Sequence, residues 1–74
     1  GHRVEDALPV VEKALDSAIL GGLPSLRIIH GKGTGRLRKA VWDYLSEHSL
    51  VRSYRIGEPR EGGEGATIVE VGSD

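Results

Sequence analysis

The chain has 74 residues, contains no cysteine, and carries a formal net charge of −1 at pH 7. Without cysteine it can form neither a disulfide nor a zinc–thiolate site. No apolar run approaches the roughly 20 residues that span a bilayer, and no signal peptide is visible. We therefore expect one domain over residues 1–74, cytoplasmic and without a membrane partner. Asn, Gln, Met and Phe are also absent and arginines outnumber lysines, which is typical of a thermophile's protein.

The first element in chain order is an amphipathic helix. Its apolar residues recur at spacings of three and four. Gly21, Gly22 and Pro24 should end it. Pro9 removes one helical hydrogen bond, so either the first turn is bent or regular helix starts nearer Asp6. The predicted inner face consists of Val4, Ala7, Leu8, Val11, Ala14, Leu15, Ala18 and Ile19.

A buried strand is expected at residues 26–29, followed by a glycine loop and a second helix over about residues 35–47. Thr34 is the predicted cap of that helix. Val51–Ile56 and residues 67–71 alternate as strands, and residues 57–65 form a polar, mobile connection. This order predicts an α/β fold, an α+β two-layer sandwich with both helices on one face. It contains a right-handed βαβ crossover and a final hairpin. No strand precedes the first helix.

The loop at residues 31–35 carries the sequence Gly-Lys-Gly-Thr-Gly, with glycine at every second position. Glycine allows positive φ and brings backbone N–H groups close to an anion, and the following helix N-terminus favours negative charge. The spacing fits neither a Walker A loop nor a dinucleotide fingerprint. From His30 to Lys39 inclusive, the sequence has four cations and no carboxylate. The loop therefore predicts a site for the phosphodiester of a polymer.

His30 ends the predicted strand, where open α/β sheets place ligand sites, and an imidazole exchanges protons near neutral pH. The alternative is that His30 only ties down the strand end through hydrogen bonds. Trp42 and Tyr44 are expected to pack in the core rather than stack on bases. No motif marks a dedicated metal site or a Ser-His-Asp triad. The sequence leaves open whether a divalent cation, Mg²⁺ or Mn²⁺, is brought to the site by the phosphates of the substrate.

The stretch at residues 26–38, LRIIHGKGTGRLR, closely resembles the signature of the Smr (small MutS-related) domain, whose hallmark is His-Gly-x-Gly. The tail at residues 61–71, EGGEGATIVEV, resembles the branch that forms the C-terminal domain of MutS type II proteins. The opening residues 1–7 resemble the segment directly after the family's Leu-Asp-Leu-Arg element. That element is expected to be the strand missing before the first helix, so the chain is expected to be a fragment of a longer protein.

The resemblance implies a βαβαββ fold, similar to the C-terminal domain of translation initiation factor three, with a four-stranded mixed sheet. It also implies a nicking endonuclease that acts on branched or double-stranded DNA and suppresses homologous recombination. The implied parent protein binds ATP and forms a homodimer through other domains. Alternatives are an RNA endonuclease or ribosome-binding module acting at stalled or collided ribosomes, and a module that binds nucleic acid without cutting it. A nucleotide-binding or protein-interaction domain has little support from the loop.

Within the nuclease interpretation, we expect His30 to transfer a proton while Lys32 and Arg36 stabilise charge that develops on the phosphate. The remaining predicted nucleic-acid contacts are of two kinds, loop positions that hold the phosphate and cations that contact neighbouring phosphates. The loop positions are Gly31, Gly33, Thr34 and Gly35, and the cations are Arg3, Arg38 and Lys39. Without the preceding strand, cleavage by the fragment is expected to be slow.

Overall fold

A computed structural model describes residues 4–33 and 35–72. It contains two helices and three strands, in the order that the sequence predicts. The helices are α1 (Val4–Leu20) and α2 (Arg36–Ser46), and the strands are β1 (Ser25–Ile29), β2 (Val51–Ile56) and β3 (Ala66–Val71). Neither helix is long and apolar enough to cross a bilayer within this described part of the chain.

The sheet has the strand order β1-β3-β2, and both neighbouring pairs are antiparallel. β1 and β2 therefore run in the same direction with β3 between them, and α2 connects them over one face. The predicted sandwich and the β2–β3 pairing are confirmed. The four-stranded mixed sheet implied by the resemblance is not seen within residues 4–33 and 35–72, which form three antiparallel strands.

The core lies between this sheet and the two helices, which also pack against each other. Leu15 of α1 and Leu45 of α2 are almost completely buried and contact the same apolar cluster as Ile28 and Val69 of the sheet. Both helices thus cover one face, as predicted. Burial of these side chains is the main source of stability available to so short a chain.

Helix α1 begins at Val4 and continues through Pro9, so the alternative of a later start near Asp6 is wrong. Pro9 is exposed, and on that side water can replace the missing backbone hydrogen bond. Val11, Leu15 and Ala18 form the buried side of the helix. Ala14 was expected on the same side but is exposed. Alanine is a weak indicator of a core position, because its small side chain is tolerated on either face.

The prediction of a buried strand at residues 26–29 is wrong in one respect. β1 is an edge strand, and burial alternates along it: Ile28 is 7% exposed and Ile29 is 65% exposed. Side chains of a strand alternate between the two faces, and here the helices cover only one of them. Ile29 belongs to the uncovered face.

The glycine-rich connection between β2 and β3 is built from two short 3₁₀ turns, Pro59–Glu61 and Gly63–Gly65, rather than from an irregular loop. The Glu58 N–H donates to Glu61 Oε1 over 2.7 Å, and Arg55 donates to both carboxylate oxygens over 2.9 and 3.2 Å. These bonds lower the pKa of Glu61 to about 2, with the Arg55 hydrogen bond as the main cause. The connection therefore has a defined shape that brings its last residue, Gly65, beside the loop after β1.

Candidate functional site

The loop between β1 and α2 depends on its glycines. Gly31, Gly33 and Gly35 have φ values of 81°, 35° and 85°, a region that other residues rarely adopt. Three left-handed positions within five residues let the chain turn from the sheet directly into α2. The expectation that these glycines have positive φ is confirmed.

The start of the loop is attached to the end of the β2–β3 connection. The His30 and Gly31 N–H groups both donate to the Gly65 carbonyl, over 3.0 and 2.9 Å. Gly65 is buried there, and a Cβ built on it would lie 3.5 Å from the Gly31 Cα. The Gly31 N–H was expected to hold a phosphate, but in this conformation it is directed at Gly65. The Gly31 N–H is therefore not available to a phosphate in this conformation.

The first turn of α2 opens toward the loop. Gly35 is its N-cap, and its carbonyl accepts the Lys39 N–H over 2.9 Å. In any α-helix the N–H groups of the first turn have no acceptor in a preceding turn, and they give this end a partial positive charge. The predicted helix over residues 35–47 agrees with the observed Arg36–Ser46 and its caps Gly35 and Glu47. The prediction of Thr34 as the cap is wrong, because Gly35 occupies the N-cap position.

An open hollow of about 240 Å³ lies at this junction. It is lined by Lys32, Gly33, Gly35, Arg38 and Glu64. The two cations were predicted from the sequence. Glu64 was not, because it lies in the β2–β3 connection and nothing local in the sequence relates it to the loop. The hollow therefore combines two positive side chains with one carboxylate at the end of α2.

The other predicted contact residues are distributed around this hollow rather than inside it. Arg36 is exposed at the first residue of α2, outside the set of described residues that line the hollow. Lys39 points outward and forms an ion pair with Asp43 one turn along the helix, at 3.3 Å. Arg3 and Thr34 lie outside the described residues. Of the predicted cations, Lys32 and Arg38 are thus the pair that the fold brings together.

His30 is buried beneath the loop, with 9% of its surface exposed. Its Nδ1 lies 2.9 Å from the Gly31 carbonyl oxygen and its Nε2 lies 2.8 Å from Thr67 Oγ1. Trp42 Nε1 donates to the same hydroxyl over 2.8 Å. Trp42 also packs against the rest of the core, in an edge-to-face contact with Tyr54. Sequence reasoning missed Thr67, because it lies 37 positions along the chain from His30.

Possible metal ligands are sparse around the hollow. Glu64 is the carboxylate that lines it, and His30 has both ring nitrogens within hydrogen-bond distance of protein atoms. No group of three or more His, Cys, Asp or Glu side chains that could hold a metal ion occurs in the part of the chain that the structure describes.

Comparison with known proteins agrees with the loop and the fold. The family model described as the Smr domain matches residues 1–72. The chain belongs to the Smr family. The resemblance that the His-Gly-Lys-Gly loop indicated is therefore confirmed.

Two solved structures share the fold of this Smr domain. The Smr domain of Thermus thermophilus MutS2 is 42% identical, with a TM-score of 0.93 that covers 99% of this chain and 91% of that one. YdaL, a stand-alone small MutS-related protein from Escherichia coli, is 32% identical with a TM-score of 0.88. That match covers 95% of this chain and 58% of YdaL.

Curated relatives are much longer than this Smr domain. The endonuclease MutS2 of Listeria welshimeri is 57% identical over 70 residues, and the putative endonuclease MutS2 of Bacillus subtilis is 58% identical over 71 residues. The matches cover 95% and 96% of this chain and 9% of each relative. The chain thus spans about a tenth of the length of these relatives.

Proposed function

We propose that this Smr domain is a nicking endonuclease that cleaves a phosphodiester bond of double-stranded or branched DNA. The observation that carries the proposal is the hollow, in which Lys32 and Arg38 stand beside the glycine loop at the N-terminal end of α2. The names of the relatives support it, since those from Listeria welshimeri and Bacillus subtilis are called endonuclease and putative endonuclease MutS2.

The hollow suits a phosphate group in the transition state of hydrolysis. Attack on phosphorus increases the negative charge on the non-bridging oxygens, and fixed positive groups stabilise that charge. Lys32 and Arg38 supply full charges, and the first turn of α2 supplies backbone N–H groups. We assign Arg36, the first residue of the same helix, to the proposed contact surface for neighbouring phosphates, together with Lys39 and Arg3. The described residues thus supply electrostatic stabilisation.

Proton transfer by His30 meets a geometric obstacle. Its ring would have to leave either the Gly31 carbonyl or the Thr67 hydroxyl before it could bind a water or a leaving oxygen. The attacking water of DNA hydrolysis is usually activated by a metal ion. We therefore propose a divalent cation, Mg²⁺ or Mn²⁺, that arrives with the phosphates of the substrate, and an assay with and without EDTA tests this directly.

RNA is the second candidate substrate. The 2′-hydroxyl of RNA can attack the adjacent phosphate with acid–base help alone. That reaction needs no metal ligands, so it is easier than DNA hydrolysis for a hollow lined by a single described carboxylate, Glu64. DNA is preferred here because the tail at residues 61–71 resembles the MutS type II branch. The RNA proposal includes action at stalled or collided ribosomes, and it predicts cleavage that is insensitive to EDTA.

The test is a nicking assay on supercoiled plasmid, with a labelled RNA as second substrate, each with and without EDTA. We expect conversion of plasmid to the open circle, a loss of tenfold or more in Lys32→Ala, on the order of what a lost charge-stabilising group costs, and full activity in Lys13→Ala. Lys13 is an exposed cation of α1, so the pair is matched in charge change. Cleavage of RNA alone would select the second candidate. DNA binding without any cleavage would overturn the enzyme proposal.

A further inference from the structure

Thr67 is the polar centre of the core. Its side chain is completely buried in β3, and its hydroxyl lies 2.8 Å from both His30 Nε2 and Trp42 Nε1. We infer that Thr67 and Trp42 are positioning residues of the site: they orient the His30 ring, which in turn fixes the first carbonyl of the glycine loop. The inferred effect on cleavage rests on the proposed nuclease function. The hydrogen-bond chain itself does not.

The direction of each hydrogen bond follows from the donors and acceptors present. The Gly31 carbonyl can only accept, so His30 Nδ1 carries a proton and donates to it. The indole N–H of Trp42 can only donate, so the Thr67 oxygen accepts it. The Thr67 hydroxyl proton then points to His30 Nε2, which accepts. Each hydrogen bond is therefore donated in the same direction, from Trp42 to Thr67, from Thr67 to His30, and from His30 to the Gly31 carbonyl.

Other protonation states of His30 fit this environment less well. The Nε2–H tautomer would place the Nδ1 lone pair against the Gly31 carbonyl oxygen at 2.9 Å. A doubly protonated ring would donate to Thr67, whose own hydroxyl proton would then lose its acceptor in a buried position. In the neutral Nδ1–H form, every member of the chain is satisfied, and no buried side-chain N or O in the described residues lacks a partner.

The hydrogen-bond chain fixes the point at which the loop leaves the sheet. The Gly31 N–H is held by the Gly65 carbonyl, and the Gly31 carbonyl is held by His30. Both the N–H and the carbonyl of Gly31 are thus held in place, immediately before Lys32, a cation of the hollow. Small displacements of a charge-stabilising group can cost large factors in rate. His30 therefore acts through the loop, and Thr67 and Trp42 act through His30.

The first test reads the His30 ring directly by NMR. Two-bond ¹H–¹⁵N correlation spectra distinguish a protonated ring nitrogen from an unprotonated one. We expect Nδ1 to be protonated and Nε2 to be an acceptor in the unaltered chain and in Thr67→Ser. In Thr67→Val, which has nearly the same shape without a hydroxyl, the Nε2 resonance should shift as its hydrogen bond disappears. An Nε2–H tautomer in the unaltered chain would overturn the inference whatever the nuclease assay shows.

The second test measures kcat and KM for plasmid nicking. Thr67→Val should lower kcat about tenfold with a smaller change in KM, since the cations remain while the loop loses its anchor. Thr67→Ser should recover most of that loss. Equal kcat values for Thr67→Val and the unaltered chain would overturn the positioning role. Amide spectra verify that each variant is folded, and if Thr67→Val is not, Trp42→Phe removes one donor of the same chain and is expected to shift the Nε2 resonance and lower kcat.

Substitutions of His30 separate positioning from proton transfer. Asparagine cannot transfer the proton, but its amide N–H can donate to the Gly31 carbonyl. We expect His30→Asn to nick at least several-fold faster than His30→Ala. Equal, complete loss of activity in both variants would assign proton transfer to His30 and overturn the inference. If the unaltered chain nicks no substrate, the proposed function fails, while the ring spectra still decide whether the hydrogen-bond chain exists.

Discussion

Two cations, Lys32 and Arg38, and one carboxylate, Glu64, line the same hollow. Removing a cation and removing the carboxylate should therefore change DNA affinity in opposite directions. Replacing Lys32 or Arg38 by alanine should weaken DNA binding and flatten its salt dependence. Each phosphate contact that is lost lowers the number of counterions released when the protein binds DNA. The slope of log affinity against log salt should fall by about 0.9 for each lost contact with duplex DNA. Fluorescence anisotropy over a salt series measures it. An unchanged slope in both variants, with Lys13→Ala as the control, would exclude the hollow as a contact surface.

Glu64 should act in the other direction. A carboxylate beside a bound phosphate repels it, and removing the charge leaves the two cations unopposed. We expect Glu64→Gln to bind DNA several-fold more tightly at low salt, with the gain shrinking as salt screens the repulsion. Glu12→Gln, on the exposed side of α1, is the matched control. Weaker binding in Glu64→Gln would instead mean that the carboxylate takes part in holding the substrate.

At the scale of elements, the β2–β3 connection has a built-in dependence on pH. The pKa of Glu61 is lowered from 4.5 to about 2, chiefly by Arg55 and then by the Glu58 N–H. A carboxyl with a lowered pKa in the folded state stabilises the fold fully above its unfolded value. That contribution disappears as pH falls from about 4.5 toward 2. Glu61→Gln should therefore lower the thermal midpoint at pH 7 and have little effect near pH 2.

The measurement is a series of thermal unfolding curves for Glu61→Gln and the unaltered chain between pH 2 and pH 7. The difference between their midpoints should open as pH rises through this window. Glu12→Gln again supplies the control, since its carboxylate stands on α1, away from the connection. A difference that is constant across the window would show that Glu61 stabilises the turn through packing rather than through its charge.

At the scale of the whole molecule, stability depends on a core shared by two helices and three strands. Leu15 is fully buried at its centre, whereas Leu20, five residues along the same helix, is 88% exposed. Leu15→Ala should reduce the free energy of unfolding by about 2–5 kcal/mol, which a 74-residue chain can scarcely tolerate. Leu20→Ala should change it by no more than about 0.5 kcal/mol. Urea titration of both variants measures the contrast, and similar losses in the two would contradict the assigned core.

The absence of heat-labile residues and the excess of arginine over lysine predict a high thermal midpoint. We expect the chain to unfold above the range of about 45–65 °C that is usual for mesophile domains. Scanning calorimetry at pH 7 measures this value, and a midpoint inside that range would contradict the prediction. Any gain in the thermal midpoint from the surface charges must come from many of them together, since isolated exposed ion pairs such as Lys39–Asp43 contribute little on their own.

The sequence by itself determined the elements and the loop, because both depend on local patterns. Spacings of three and four predicted α1 and α2, alternation predicted β2 and β3, and glycine at every second position predicted the turn from β1 into α2. Each of these properties follows from how neighbouring side chains lie along one element. The same locality explains the errors at Ile29 and Ala14, since a run of apolar residues does not reveal which face of an element the rest of the molecule covers.

Only the tertiary structure decided which side chains meet. Placing β3 between β1 and β2 brings the Thr67 hydroxyl to His30 across 37 residues and to Trp42 across 25. The turn before β3 likewise brings Glu64 to the hollow of Lys32 and Arg38. Such contacts depend on strand order, register and the path of a connection, which are set by the packing of the whole core. For that reason the sequence indicated where the candidate site lies, while only the fold showed which residues contact its histidine.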